Sequence, residues 1–417
     1  MKDDSIADHV KMIKGVIGKK PLMTCCSSTG PITLNSISLN LERIAEHLDF
    51  FMLENVGLNV FGVNWTSKDA EALQQKDIAA KRGNAPAIAL SYTVYKEGGY
   101  LGWSLARFWG VANWSSTLHQ RLEEDPEDAP EMEDVIAPLN QWELKHSDLN
   151  CREGVDVVEI RLVNNSYCRE NGWKNAAGKA HWEKVVEWSE AFLKNNIGYR
   201  FLRKDELADT DALCKEKTPL LIDNMGSVSD KQLKSMQTFL EKNGQVFLGM
   251  PFGTHDENGF KRKVPLSEIL TKKKYKNLHQ IKSNSVFDEL DNMKRAERFV
   301  PMIKQVAGDP GWALRLRQHN NTYVIHFMNT AMKAIPHPTL RDGGNSPILD
   351  RIESNITNNE LTYDIDVGKV SLENLVLKSP ELGERTVAVK SEKTGPSTIR
   401  MSFDLESINV YAVAQPL

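Results

Sequence analysis

Glu54 closes an apolar run, Asp49-Phe50-Phe51-Met52-Leu53, and Asn55 follows it. A carboxylate at the C-terminal end of a buried strand stands where ligand-binding loops open, and there it can act as a nucleophile or carry a proton. The plainer reading is an ordinary hydrogen bond or ion pair at a strand end. No other carboxylate has equal context. Glu97 falls in Lys96-Glu97-Gly98-Gly99, which reads as a polar turn, and Asp69 and Glu71 read as positions on a solvated helix. Aromatic residues crowd the same stretch of chain: Trp65, Tyr92, Tyr95, Trp103, Trp109 and Trp114. Aromatic faces pack against the C–H faces of sugar rings, so such a cluster suits a glycan cleft. Trp103 and Trp109 fall within a helical pattern and are expected in the core, whereas Trp65 and Tyr92 follow strand ends and are cleft candidates. Asn113-Trp114-Ser115-Ser116 either closes the cleft or packs a domain boundary.

Other chemistries find less support. His255-Asp256 is isolated, and His326 and His337 lack carboxylate or cysteine neighbours at ligand spacing, so no metal site is expected. A phosphate-cradling GxxxxGK loop is absent, and no cofactor is expected. Lys261-Arg262-Lys263 and Lys272-Lys273-Lys274 could attract an anionic partner but read first as solvated surface. The five cysteines, Cys25, Cys26, Cys151, Cys168 and Cys214, form no CxxC pair, and their odd number speaks against a disulfide framework. They read as reduced thiols of a bacterial-type cytoplasm.

The 417 residues carry 52 Lys plus Arg against 56 Asp plus Glu, a net charge of −4, so bulk attraction to nucleic acid is not expected. A hydrophobic content of 41% with 26% charged residues is that of a folded globular chain of several domains. No apolar run reaches the roughly 18–20 residues that span a bilayer, and no membrane association is expected. Met1 to Lys20 has no apolar h-region, so the chain as written reads as lacking a signal peptide and as cytoplasmic.

Three segments with different patterns must position the candidate residues. Up to about residue 150, apolar runs (Pro21–Cys26, Asp49–Leu53, Ala85–Val94) alternate with helical stretches (Leu39–His47, Lys68–Arg82, Tyr100–Leu118), an order that predicts a parallel sheet or barrel. The acidic, proline-bearing stretch from Glu123 to Glu133 reads as a solvated loop. From about 152 to 282, strands are predicted at Val155–Val163, Gly198–Arg203, Pro219–Asp223 and Gln245–Met250. Helices are predicted at His181–Lys194 and from Ser229-Asp230 to Lys242, with Asn243-Gly244 as the stop; together these make an open doubly wound unit. A helical stretch over Val286–Val306 leads to a hairpin (Trp312–Arg317, Tyr323–Phe327) and short strands at Leu361–Ile365, Leu375–Leu377, Thr386–Val389, Ser397–Phe403 and Ile408–Ala414, the pattern of an all-β sandwich.

In this order the segments resemble the C-terminal part of multidomain glycoside hydrolases of the family 42 β-galactosidase kind and their relatives in polysaccharide-degrading bacteria. The resemblance rests on Asp49-Phe50-Phe51-Met52-Leu53-Glu54-Asn55, on Val157–Asn165 with His181–Lys194 and Tyr199–Leu202, and on Pro219-Leu220-Leu221-Ile222-Asp223-Asn224 through Met250-Pro251. It implies an α/β multidomain chain: a partial (β/α)8-type barrel over 1–150, a flavodoxin-like or amidotransferase-like α/β domain of the trimerisation type over 151–284, and a linker helix with a small all-β sandwich over 285–417. It implies a carbohydrate substrate, hydrolysis of O-glycosidic bonds, Glu54 as nucleophile, and Asn55, Trp65, Tyr92, Asn113 and Trp114 around a sugar. It also implies a homotrimer. The chain departs from the pattern in one respect: a complete barrel needs about 250 residues and eight strand–helix pairs. The expected first half, with the general acid/base, would lie upstream of Met1. The alternative is a non-catalytic carbohydrate-binding or assembly module. The amidotransferase-like segment itself carries no nucleophile at Gly249-Met250-Pro251-Phe252-Gly253 or at Asn224-Met225-Gly226 and reads as a scaffold.

Overall fold

The computed structural model describes residues 2–18, 22, 24, 40–54, 60–82, 85–117, 131–146, 154–319, 322–341, 345–368, 372 and 374–416. The chain divides into two compact units, residues 1–157 with 302–417, and residues 158–301. Among the described residues no helix is long and apolar enough to cross a membrane.

In the first unit, β1 (Phe51–Glu54), β2 (Ala87–Thr93) and β3 (Ala112–Thr117) form a parallel sheet in that order. Parallel neighbours need crossovers, and α1 (Asp69–Lys81) and α2 (Lys96–Trp109) supply them. The sequence pattern predicts one helix from Tyr100 to Leu118, whereas Ala112–Thr117 is β3. The helix in fact stops at Gly110, whose left-handed φ of 72° caps it. Lys96 to Gly99, read as a turn, opens this helix instead. Its glycines let it lie close on the sheet: a Cβ on Gly102 would come 2.3 Å from the Ser91 hydroxyl. Of the expected strand Pro21–Cys26, only residues 22 and 24 are described.

The rest of this unit is β-rich. Trp312–His319 pairs antiparallel with Thr322–Asn329, register His319 to Thr322, which is the hairpin predicted from sequence. One six-stranded and one four-stranded antiparallel sheet share a core that includes Trp312, Leu314, Phe327, Leu361, Tyr363 and Phe403. The run read as one strand over Val155–Val163 is two: Val155–Asp156 pairs with Gln318 and Arg317 in the six-stranded sheet, and Ile160–Asn164 belongs to the other unit.

Buried charges tie α1 to the strand 312–319. Asp69 is fully buried and accepts bonds from Arg315 Nη2 (3.0 and 3.1 Å) and from Trp109 Nε1 (2.9 Å). This corrects the solvated-helix reading of Asp69; a carboxylate without water requires such partners. Asp156 accepts from Lys76 Nζ at 2.5 Å and from Arg317 Nε at 2.8 Å. Burial alone would raise the Asp156 pKa, but Lys76 and Arg317 outweigh it and hold the carboxyl below the usual range. Arg317 also donates to the Arg107 and Phe108 carbonyls, which lie at the end of α2.

The second unit is a five-stranded parallel sheet: β4 (Ile160–Asn164), β5 (Tyr199–Arg203), β6 (Leu220–Ile222), β7 (Val246–Leu248) and β8 (Leu278–Gln280). The order β8-β7-β6-β4-β5 is doubly wound and reverses between β4 and β6. Its helices include α3 (His181–Lys194), α4 (Asp230–Glu241) and α5 (Val286–Arg295). Ser229 caps α4 by accepting from Gln232 N at 3.2 Å, and Asn243 follows with φ 63°, as the Ser-Asp and Asn-Gly signals require. The helix expected over Val286–Val306 ends at Arg295; Ile303–Ala307 is a strand of the first unit. Arg161, buried in β4, donates to the carbonyls of Leu213, Glu216 and Thr218, and burial lowers its pKa to about 10.

Candidate functional site

The C-terminal edge of the three-stranded parallel sheet carries the candidates. In-register neighbours on parallel strands share a face, and successive residues alternate faces. Glu54 pairs with Leu90 and Leu90 with Trp114, so these positions form one row. Met52, Tyr92 and Ser116 belong to the same face by alternation, Tyr92 being in register with Ser116. Trp114 is 51% exposed, an uncommon state for an indole, and Tyr92 is half-buried. Ala89, Ser91 and Thr93 take the opposite face, which α2 covers.

Two of the predicted residues, Tyr92 and Trp114, therefore take one side of the sheet, and Glu54 holds a register position in the row of Leu90 and Trp114. Asn113 does not join them. Its amide donates to Ser115 Oγ at 2.9 Å, and its carbonyl oxygen accepts from the buried Ser91 hydroxyl at 3.4 Å, which places it on the helix-covered face. A one-residue step along a strand is enough to make that difference. Trp65 is also corrected. Its ring is fully buried, its Nε1 donates to the Asn329 carbonyl at 2.9 Å, and it packs edge-on against Phe108 and Trp109, so it faces no cleft. A 3-10 turn (Trp65–Lys68) leading into α1 directs it inward. Trp103 and Trp109 are fully buried, as the helical pattern predicted. Asn55 lies outside the described residues. Sequence reasoning missed Ser116 as the neighbour of Tyr92, because β3 was read as the end of a helix. Its period-2 signal is a single Trp among small polar residues, too weak to identify a strand.

The crevice of the second unit, at the C-terminal ends of β4 and β6, is filled by its own side chains. His181 uses both ring nitrogens: Nδ1 bonds to the Asp223 carbonyl at 2.9 Å and Nε2 accepts from Asn165 N at 3.1 Å. Burial pushes its pKa down to about 4, despite those bonds. Asp223 accepts from Trp188 Nε1 at 2.9 Å, and burial raises its carboxyl above the usual range. The Cys168 thiol is buried and pushed up to about 12, far from a nucleophile's value. Trp173 lies over Gly226 so closely that a Cβ there would fall 1.9 Å from the ring. These groups serve packing. Among the described residues no cluster of His, Cys, Asp and Glu could hold a metal ion.

No family model and no curated protein matches the chain. Solved structures do. The chain is similar to an apo exo-carrageenase of glycoside hydrolase family 42 from Bacteroides ovatus (TM-score 0.54, 13% identity, 96% of this chain and 55% of that one). It is similar to a family 42 β-galactosidase from G. stearothermophilus (TM-score 0.61, 10% identity, 99% and 67%). A β-galactosidase from Bacillus circulans sp. alkalophilus gives TM-score 0.60 at 11% identity over 96% and 66%. The chain thus resembles glycoside hydrolases of the family 42 kind in fold, and spans roughly half to two-thirds of their length.

Proposed function

We propose that the chain is part of a glycoside hydrolase acting on O-glycosidic bonds, with its parallel sheet as the later portion of a (β/α)8-type catalytic barrel. The amidotransferase-like domain and the β-sandwich follow it in this reading. The observation that carries the proposal is Glu54 as the last residue of β1, in one row with Leu90 and Trp114 three residues before the ends of β2 and β3, on a parallel sheet of the kind whose C-terminal edge carries barrel active sites. Glu54 is the nucleophile: its carboxylate attacks the anomeric carbon as the leaving oxygen takes a proton from a second carboxyl about 5–5.5 Å away, supplied from outside this chain. Water then releases the sugar and restores Glu54. Trp114 and Tyr92 offer ring faces to the sugar, and Asn55, next after Glu54 in the chain, stays a candidate for the same subsite. By analogy with the resembled family the assembly is a homotrimer; light scattering at the monomer mass of 47.0 kDa rejects that part.

Aryl β-galactosides and carrageenan oligosaccharides are the first substrates to assay, because the structural neighbours are named for them. Made in the longest genomic version of the protein, which in this reading carries the second carboxyl, Glu54→Gln is expected to lower turnover at least about 10³-fold with glycan binding retained. Equal rates in both proteins eliminate Glu54 as catalyst. A second reading, a carbohydrate-binding or assembly module without turnover, is favoured by the exposed Trp114 ring together with the burial of Asp69 in an ion pair, which removes it as a second carboxylate. Calorimetry showing binding that Trp114→Ala abolishes, without hydrolysis by the full chain, selects this reading.

A further inference from the structure

At the β8 edge of the doubly wound sheet lies a cavity of about 360 Å³. Lys274, Lys282 and Arg298 line it together with Tyr275 and His279, and no carboxylate does. Among the described residues none of the three cations forms an ion pair. Their neighbours behave differently: Lys273 reaches Glu241 at 3.3 Å, and Lys294 reaches Asp291 at 3.5 Å. The basic run Lys272-Lys273-Lys274 therefore divides, with Lys273 neutralised and Lys274 left facing the cavity.

The backbone from which each of the three cations projects is tied down. Lys274 sits in a left-handed turn (φ 49°) after the helix Leu266–Lys272, its N–H bonded to the Thr271 carbonyl at 3.2 Å. Glu289, buried in α5, accepts the backbone N–H groups of Lys282 (3.1 Å) and Ser283 (2.9 Å). Arg298 follows Glu297, also left-handed (φ 52°), and its carbonyl accepts from Gln245 Nε2 at 2.6 Å. Like charges repel, and a fold that brings three exposed cationic side chains to one hollow gains when an anion enters it. His279 packs on Phe247, and burial with the charge of Arg298 lowers its pKa, so at neutral pH it adds a hydrogen-bonding ring nitrogen without adding charge.

We propose that this cavity is a binding site for a tetrahedral oxyanion, sulfate or phosphate, either free or borne on a sugar. The arginine fork grips two oxygens and the lysines neutralise the charge. Tyr275, on the cavity wall, gives a sugar ring a face to lie on. The site is independent of Glu54.

Calorimetry on the full chain, at constant ionic strength, tests this with sodium sulfate, sodium phosphate, galactose 6-sulfate and uncharged galactose. The three anionic probes, or the sugar sulfate alone, are expected to bind with a Kd near about 1 mM or tighter, and galactose not to bind here. Lys274→Ala, Lys282→Ala and Arg298→Ala are each expected to weaken binding about fivefold or more, while Lys272→Ala, the same charge removed outside the cavity, leaves it unchanged. All these side chains are exposed, so circular dichroism should show unchanged folding. Tighter binding of the sugar sulfate than of inorganic sulfate identifies a sugar-borne anion; equal binding identifies the free ion. No binding at about 10 mM of any anionic probe, or equal losses in all four variants, overturns the assignment, the second result meaning bulk attraction only.

Discussion

Arg315→Met should be among the most damaging single changes in the first unit. It removes the guanidinium from Asp69 and leaves a carboxylate with no exposed surface, still bonded by Trp109 Nε1, beside a thioether chain in place of a positive charge. Breaking one partner out of a buried ion pair costs about 3–5 kcal/mol, because the survivor loses hydration without recompense. The guanidinium carbon of Arg315 lies 4.6 Å from the Phe108 ring centroid, so the methionine keeps apolar bulk but also gives up a cation–π contact, which adds to the loss. Against a typical total of about 5–15 kcal/mol, the loss is a large share of stability. Adding Asp69→Asn removes the stranded charge and keeps an acceptor for Trp109. The double variant should therefore recover about 2–3 kcal/mol relative to Arg315→Met. Urea unfolding, with peptide-resolved hydrogen exchange over residues 69–81 and 312–319 to isolate this unit, reads both quantities. A cost below about 1 kcal/mol, or strictly additive effects of the two changes, would refute the reasoning, since either means the carboxylate is hydrated after all.

Three further expectations concern the second unit. His181 has its folded-state pKa lowered from 6.5 to about 4, so the unfolded chain takes up its proton first; stability is unaffected above about pH 6.5, falls as pH drops toward 4, and loses about 3 kcal/mol in all. Unfolding measured from pH 7 to 4 should show this slope, and His181→Gln should flatten it. Native alkylation with iodoacetamide at pH 8 should leave Cys168 unmodified while Cys214, which is partly exposed, is labelled, because only about one Cys168 thiol in 10⁴ is ionised there; peptide mapping that finds Cys168 labelled first contradicts its placement. Gly226→Ala should cost about 1–3 kcal/mol by driving a methyl into the Trp173 ring, and Trp173→Leu in the same chain should relieve part of it; a thermal melt unchanged by Gly226→Ala would mean the ring does not lie there.

Local signals determined what depends on neighbours in sequence. The short apolar runs at Leu220–Ile222 and Val246–Leu248, the Ser229 cap and the Asn243-Gly244 stop were legible because strand burial, N-capping and left-handed termination are decided within a few residues. So was the hairpin of Trp312–His319 with Thr322–Asn329. What the sequence did not reveal depends on partners far away in the chain. Strand β8 is a short Leu-His-Gln run that becomes a strand by pairing with β7. Asp69 reads as a solvated helix residue until Arg315, 246 positions later, meets it. Whether Asn113 or Trp114 faces an open side of the sheet turns on register and on which face α2 covers, and one residue along a strand reverses the answer. Composition and period set the kinds of element present; long-range pairing decided which side chains share a surface, because a side chain's surroundings are set by whatever packs against it and not by its own neighbours in the chain.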